Sequence, residues 1–144
     1  MFIDPRGPRF AAAGTSVVLA LVLLTGSRWL LAAQAVVFAL GVADCSPYSL
    51  VFRRLIRPRL ADPGELEDAR PVRFAQAVGL AFTLAAAVAL VLGAALVASV
   101  LIAAALVAAV LNAAVGFCLG CEVYLLARRS SLLSAFRSQK EIHA

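Results

Sequence analysis

The sequence predicts an all-α fold: an integral membrane bundle of four transmembrane helices in two hairpins, with a short amphipathic interfacial helix between them. Three observations carry that expectation. The chain is 63% hydrophobic and 15% charged, against about half and about a quarter in a soluble domain. Its apolar residues gather into two blocks dominated by Ala and Leu, which favours helix over strand. Twelve of the thirteen basic residues lie outside those blocks, where they would orient a membrane protein. One membrane domain over residues 1–144 is expected.

The first block runs from Phe10 to Ala43 and is interrupted by "TGSRW", Thr25 to Trp29. Thr, Gly and Ser read as a turn, and Trp29 suits the lipid headgroups. Helices are therefore expected over 10–26 and 29–43. Each is short of the roughly 20 residues of a full span. Flanking residues would complete them, with Arg28 snorkelling outward; a re-entrant hairpin is the alternative. A cleavable signal peptide fits poorly, because "MFIDPRGPRF" is a weak n-region and no A-x-A site follows.

Residues 44–73 form the expected cytoplasmic basic loop. In "CSPYSLVFRRLIRPRL", Ser46 suits a helix cap and Pro47 the first helical position. Val51, Phe52, Leu55 and Ile56 recur at helical spacing, and Pro58 discourages continuation. Arg53, Arg54, Arg57 and Arg59 make the helix interfacial and basic. An anion or substrate site on these arginines is the functional alternative. In "ADPGELEDARPVRF", Asp62, Pro63 and Glu65 resemble a capped turn, and the acids there match no calcium loop.

The second block, 74–127, carries Glu122 as its one charge and is long enough for two spans. The turn between them is expected within Leu92–Ser99, and residues 128–144 are expected to form a loosely ordered cytoplasmic tail. Two basic residues precede the first block, six lie between the blocks and four follow the second. Four spans would put all twelve on one face, with both termini cytoplasmic. The net charge of +5 then needs the lipid bilayer as its partner, and no nucleic acid.

Chemistry concentrates in "NAAVGFCLGCEVYLLARR", Asn112 to Arg129. On a continuous last helix, Cys118, Cys121 and Glu122 share one face. Asn112, Gly116 and Gly120 run along another, which suits close helix packing within the chain or in a homo- or hetero-oligomer. Ten residues separate Cys118 from Arg128, or roughly 15 Å along a helix, which would put the motif in the inner half of the bilayer. Candidate catalytic residues are thus Cys118 and Cys121, with Glu122 as proton acceptor, since an ionisable group in a span is a functional candidate. Thiol–disulfide exchange and a persulfide relay both remain open. So does plain packing, for which cysteine is well suited. No metal site is expected: two thiolates leave a zinc shell unfilled, although Cu(I) accepts two sulfurs. Cys45 falls in the loop and His143 in the tail. No cofactor is expected either, because the chain carries no phosphate loop, dinucleotide fingerprint or nucleophile–His–Asp pattern.

Four stretches, "DPRGPRFAA", "SPYSLVFRRLIRPRL", "ELEDARPVRFAQAVG" and "LNAAVGFCLGCEVYLL", together resemble the bacterial membrane-protein family catalogued as domain of unknown function 4395. The resemblance covers Asp4 to Arg129. It implies a multi-spanning protein of the bacterial cytoplasmic membrane. Cys118, Cys121 and Glu122 fall on the family's signature, and Cys45 does not. A thioredoxin-like or sulfurtransferase partner is a further implication. The resemblance supplies no activity; the thiol motif and the packing face leave three functions: thiol redox or sulfur transfer; a non-enzymatic scaffold or assembly subunit; and transport of a small or sulfur-containing molecule. Whether the chain is an enzyme stays open.

Overall fold

The computed structural model describes residues 2–142; Met1, His143 and Ala144 lie outside them. Helix α1 spans Arg6–Thr25. It starts four residues earlier than the apolar block because Asp4 holds its first turn: the carboxylate accepts the Arg6 backbone N–H at 3.0 Å and the Asp4 carbonyl accepts that of Gly7 at 3.0 Å. Gly26, left-handed at φ 65°, ends α1. Ser27 then opens α2 (Arg28–Val42), its hydroxyl oxygen accepting the Leu30 N–H at 3.4 Å. The "TGSRW" turn is thus a glycine stop followed directly by a serine start.

After a sharp bend comes a short helical segment in three parts: α3 (Pro47–Val51), a π turn over Phe52–Ile56 and a 3-10 turn over Arg57–Arg59. Pro47 takes the first-turn position, but the Ser46 side chain makes no capping bond. The segment is anchored by Phe52, which is buried against Phe10 at a ring separation of 6.0 Å. The expected cap at Asp62 is absent. Asp68 caps instead, accepting the Arg70 N–H at 3.0 Å and starting α4 (Ala69–Val91). A turn at Gly93, φ 79°, leads into α5 (Ala95–Val115).

Helix α1 packs on α2 and α5, and α4 packs on the same two, so the four close a ring. Leu19, Val22, Leu31, Ala86, Ala89, Ala98 and Ile102 meet at its centre. The alanines of α4 and α5 allow close approach, as membrane helices require. Thr15, Gln34 and Thr83 are buried among them, with the Gln34 amide donating to the Thr15 hydroxyl oxygen at 3.3 Å. The outer surface is apolar: Val17, Leu24, Leu84, Val88, Leu96 and Val100 are exposed. A water-soluble chain does not leave that much apolar surface uncovered.

Three helices, α1, α4 and α5, are long and apolar enough to cross a membrane. With 15 residues, α2 falls short alone and qualifies only together with Pro47–Arg59, from which it is bent by 71°. The chain is therefore an all-helical bundle with three such helices, or four if the bent pair is one span.

Two expectations need correction. The last apolar helix is not continuous: α5 stops at Val115, and α6 begins afresh at Leu119 and runs to Ile142. The cause is Gly116, left-handed at φ 73°, which terminates a helix as readily as it packs one. The tail is accordingly helical and exposed, where a loose coil was expected. One small addition lies beside the helical bundle. Phe2–Ile3 (β1) pairs antiparallel with Glu67–Asp68 (β2), tying the N-terminus to the approach to α4.

Candidate functional site

The break between α5 and α6 carries the thiols. Gly116 donates its N–H to the Asn112 carbonyl at 3.0 Å, and Phe117 donates to Leu111 at 3.4 Å. Two further carbonyls at this helix end, Ala113 and Ala114, accept from the Arg9 guanidinium, both at 3.3 Å. A cation at a helix C-terminus satisfies orphan carbonyls and complements the dipole. Arg9, in the first turn of α1, therefore braces the helix end that Gly116 sets.

Cys118 immediately precedes α6, and Cys121 is its third residue. The Cys118 sulfur accepts the Cys121 N–H at 3.3 Å, so it acts as the cap of the new helix. The Cys118 carbonyl accepts from Glu122 at 3.0 Å. The two sulfurs lie near disulfide distance, with the Cα atoms 5.2 Å apart, and both residues are half-buried.

Packing on α4 holds α6 in place. Tyr124 meets Phe74 at 5.6 Å between ring centres. At Gly120 the two backbones nearly touch: a Cβ there would lie 2.7 Å from the Ala75 Cα.

The structure thus brings Cys118 and Cys121 together and sets Glu122 beside them in the first turn of α6. The Glu122 side chain is exposed and makes no hydrogen bond or ion pair among the described residues. Asn112, Gly116 and Gly120 do not share a helix face, because the chain turns between them. Asn112 is half-buried on α5, Gly116 is the turn itself, and Gly120 belongs to α6. Arg53, Arg54, Arg57 and Arg59 are all exposed on the π and 3-10 turns, away from the thiols in sequence and element.

Sequence reasoning missed Arg9 and Arg73. Arg73 pairs with Asp44 at 3.3 Å and donates to the Val42 carbonyl at 3.1 Å, doing for α2 what Arg9 does for α5. Nothing local in the chain marks these long-range roles. Asp4 was more accessible, since an Asp before Pro often starts a helix. Among the described residues no three His, Cys, Asp or Glu side chains converge on a metal position, and Cys45 is a free, exposed thiol.

Fold and surface together define a multi-pass membrane protein carrying a paired C-x-x-C at a helix break. The chain belongs to the family described as Domain of unknown function (DUF4395), whose model matches residues 3–129. No curated protein and no solved structure matches it.

Proposed function

We propose that the protein exchanges thiols and disulfides at the border of the bacterial cytoplasmic membrane. It does so as one membrane domain of four spans in two hairpins, with both termini in the cytoplasm. One observation carries the reading: the Cys118 sulfur caps α6 and accepts the Cys121 amide proton. A helix start presents unpaired N–H groups and the positive end of the dipole, which stabilise a thiolate there. Packing alone would not require a cysteine at the cap, where Ser, Thr, Asp and Asn are the ordinary residues.

The chemistry follows from the pair. In the reduced state the Cys118 thiolate attacks a partner disulfide and expels one partner thiolate, leaving a mixed disulfide. The Cys121 thiolate then attacks the Cys118 sulfur and expels the second partner thiolate. Two electrons pass from the pair to the partner, and the two protons released by Cys118 and Cys121 end on the partner's thiols. Glu122, one residue on, receives and passes a proton. A thioredoxin-like protein is the fitting partner because it carries a dithiol of the same kind. In the sulfur-transfer variant, Cys118 instead receives a sulfane sulfur from a sulfurtransferase. The scaffold reading has less support, since the close approach at Gly120 is already occupied by Ala75 of the same chain.

The test uses the reduced full-length protein in nanodiscs with glutathione disulfide. Cys121→Ser should accumulate a mixed disulfide on Cys118, faster as pH rises, whereas Cys118→Ser should react slowly. A persulfide on Cys118 after incubation with a sulfane-sulfur donor would select the sulfur-transfer variant. Two thiols that react equally slowly, and a Cys118→Ala/Cys121→Ala variant that fully supports the cell, would return the motif to packing.

A further inference from the structure

A second feature lies among β1, α1, α2, the π turn and α4. They enclose a cavity of about 320 Å³ beside the basic end of the bundle, within the usual range for small-ligand sites. Phe2, Ala11, Phe52 and Val72 supply apolar walls, and Arg53, Arg57 and Arg73 supply charge.

The charges sort cleanly. Asp4 is saturated by Arg6, which donates to one carboxylate oxygen at 3.1 Å and to the other at 3.2 Å. Arg6 reaches on to the Ala61 carbonyl at 2.8 Å. Arg73 is engaged by Asp44 and Val42. Arg53 and Arg57 remain: among the described residues neither guanidinium takes part in an ion pair or a hydrogen bond. Each acid on the wall is thus held by an arginine of its own, while Arg53 and Arg57 have no hydrogen-bonded partner there, Arg57 acting on Asp4 only through its charge at longer range.

The π turn puts them there. Its defining bond, from the Arg57 N–H to the Phe52 carbonyl, widens the helix by one residue, and Arg53 and Arg57 both line the cavity while Arg54 and Arg59 do not. Such insertions are uncommon and recur at functional sites.

We propose that this cavity binds a phosphate ester with an apolar portion, its phosphate held by Arg53 and Arg57 and its carbon part laid along Phe2, Phe52 and Val72. Guanidinium groups match phosphate oxygens in pairs, and the apolar walls favour an ester with a carbon part over inorganic phosphate. The same chemistry is offered by an anionic lipid headgroup and by a soluble phosphate ester. The cavity is independent of the thiols, so its fate does not depend on theirs.

The experiment separates the two sources. In one arm the full-length protein is placed in nanodiscs of phosphatidylcholine with increasing phosphatidylglycerol, and bound lipid is counted by native mass spectrometry. In the other, the delipidated protein in maltoside is titrated with hexyl phosphate, a soluble phosphate ester with an apolar portion. Arg53→Gln/Arg57→Gln should weaken binding about tenfold in one arm, the loss expected for a charge-assisted contact. The charge-matched Arg54→Gln/Arg59→Gln should change it by no more than about twofold, as diffuse surface charge would. The arm that responds names the source. Equal losses in both pairs, or no binding in either arm, would overturn the proposal. Amide exchange on the unmutated protein guards against misfolded variants. The bound probe should slow exchange over residues 52–57, and unchanged exchange would also overturn it.

Discussion

Gly116 and Gly120 stand four residues apart in an apolar run, yet a side chain at each would fail for a different reason. Gly116 has room: a Cβ would meet Arg9 at an ordinary 3.7 Å. Its backbone is the obstacle, since a left-handed φ costs an L-residue about 1–2 kcal/mol. Asn, which visits that region, should therefore be tolerated better than Val at 116. Gly120 has the reverse problem. Its helix is ordinary, but the neighbour at 2.7 Å is backbone and cannot swing aside. Gly120→Ala should cost about 1–3 kcal/mol through overpacking, and Asn should give no relief. Thermal unfolding in detergent would separate the two patterns; equal tolerance of Asn at both sites would refute the distinction. Asp4 gives a pH dependence. Burial alone raises its carboxyl pKa, but hydrogen bonds from the Arg6 side chain and backbone, with the Arg6 and Arg57 charges, outweigh burial and hold it below the ordinary 3.8. The folded state thus binds this proton less tightly than the unfolded state. Its contribution is complete above the unfolded value and is lost as pH falls through the lower folded one. Asp4→Asn should cost about 1–3 kcal/mol near neutrality, and the gap from the parent protein should close below about pH 4. A gap independent of pH would show that the carboxylate charge is not what holds the first turn.

At the scale of elements, α6 is built on a sulfur cap. Replacing Cys118 with Ser keeps an acceptor at the cap, whereas Ala removes it at a cost of about 0.5–2 kcal/mol. Cys118→Ser should therefore retain the parent helix stability under reducing conditions while losing exchange chemistry. Cys118→Ala should lose both, with faster amide exchange at Cys121 as the local sign. Equal stability of the two variants would mean that the cap contributes nothing. This element is also where the sequence was least legible. The apolar segments of the four ring helices could be read because block hydropathy is a property of many residues at once. Their turns could be read because Gly26 with Ser27, and Gly93, interrupt that hydropathy. The break at Gly116 left no such trace. Apolar residues continue through it, and a glycine four residues from another glycine looks the same whether it packs or stops a helix. The thiols were recognisable by residue type, but their setting was not, since it depends on Arg9, more than a hundred residues away. The helical tail was equally hidden. From Arg128 to Ile142 it is polar enough to read as coil, and Ser130, Ser131 and Ser134 turn their hydroxyls back onto carbonyls three residues earlier.

For the whole molecule, the testable property is sidedness. The N-terminal end of α1 meets the C-terminal end of α5 through Arg9, and the C-terminal end of α2 meets the N-terminal part of α4 through Arg73. A reporter active only outside the cytoplasm should give signal when inserted at Gly26 and none at Glu65 or the C-terminus. Signal at the C-terminus would require an odd number of spans; silence at Gly26 would favour a re-entrant first pair. The Arg9 contact also has a consequence for biosynthesis. Its carbonyl partners lie 104 and 105 residues downstream. At about 5–20 residues synthesised per second, the first helix waits roughly 5–20 s for them. Throughout that interval the guanidinium has no carbonyls to satisfy, and the bend that presents the thiols does not yet exist. A chain that ends before Ala113 lacks both the C-x-x-C pair and the carbonyls that Arg9 engages, so the ring of four helices closes only after α5 is made.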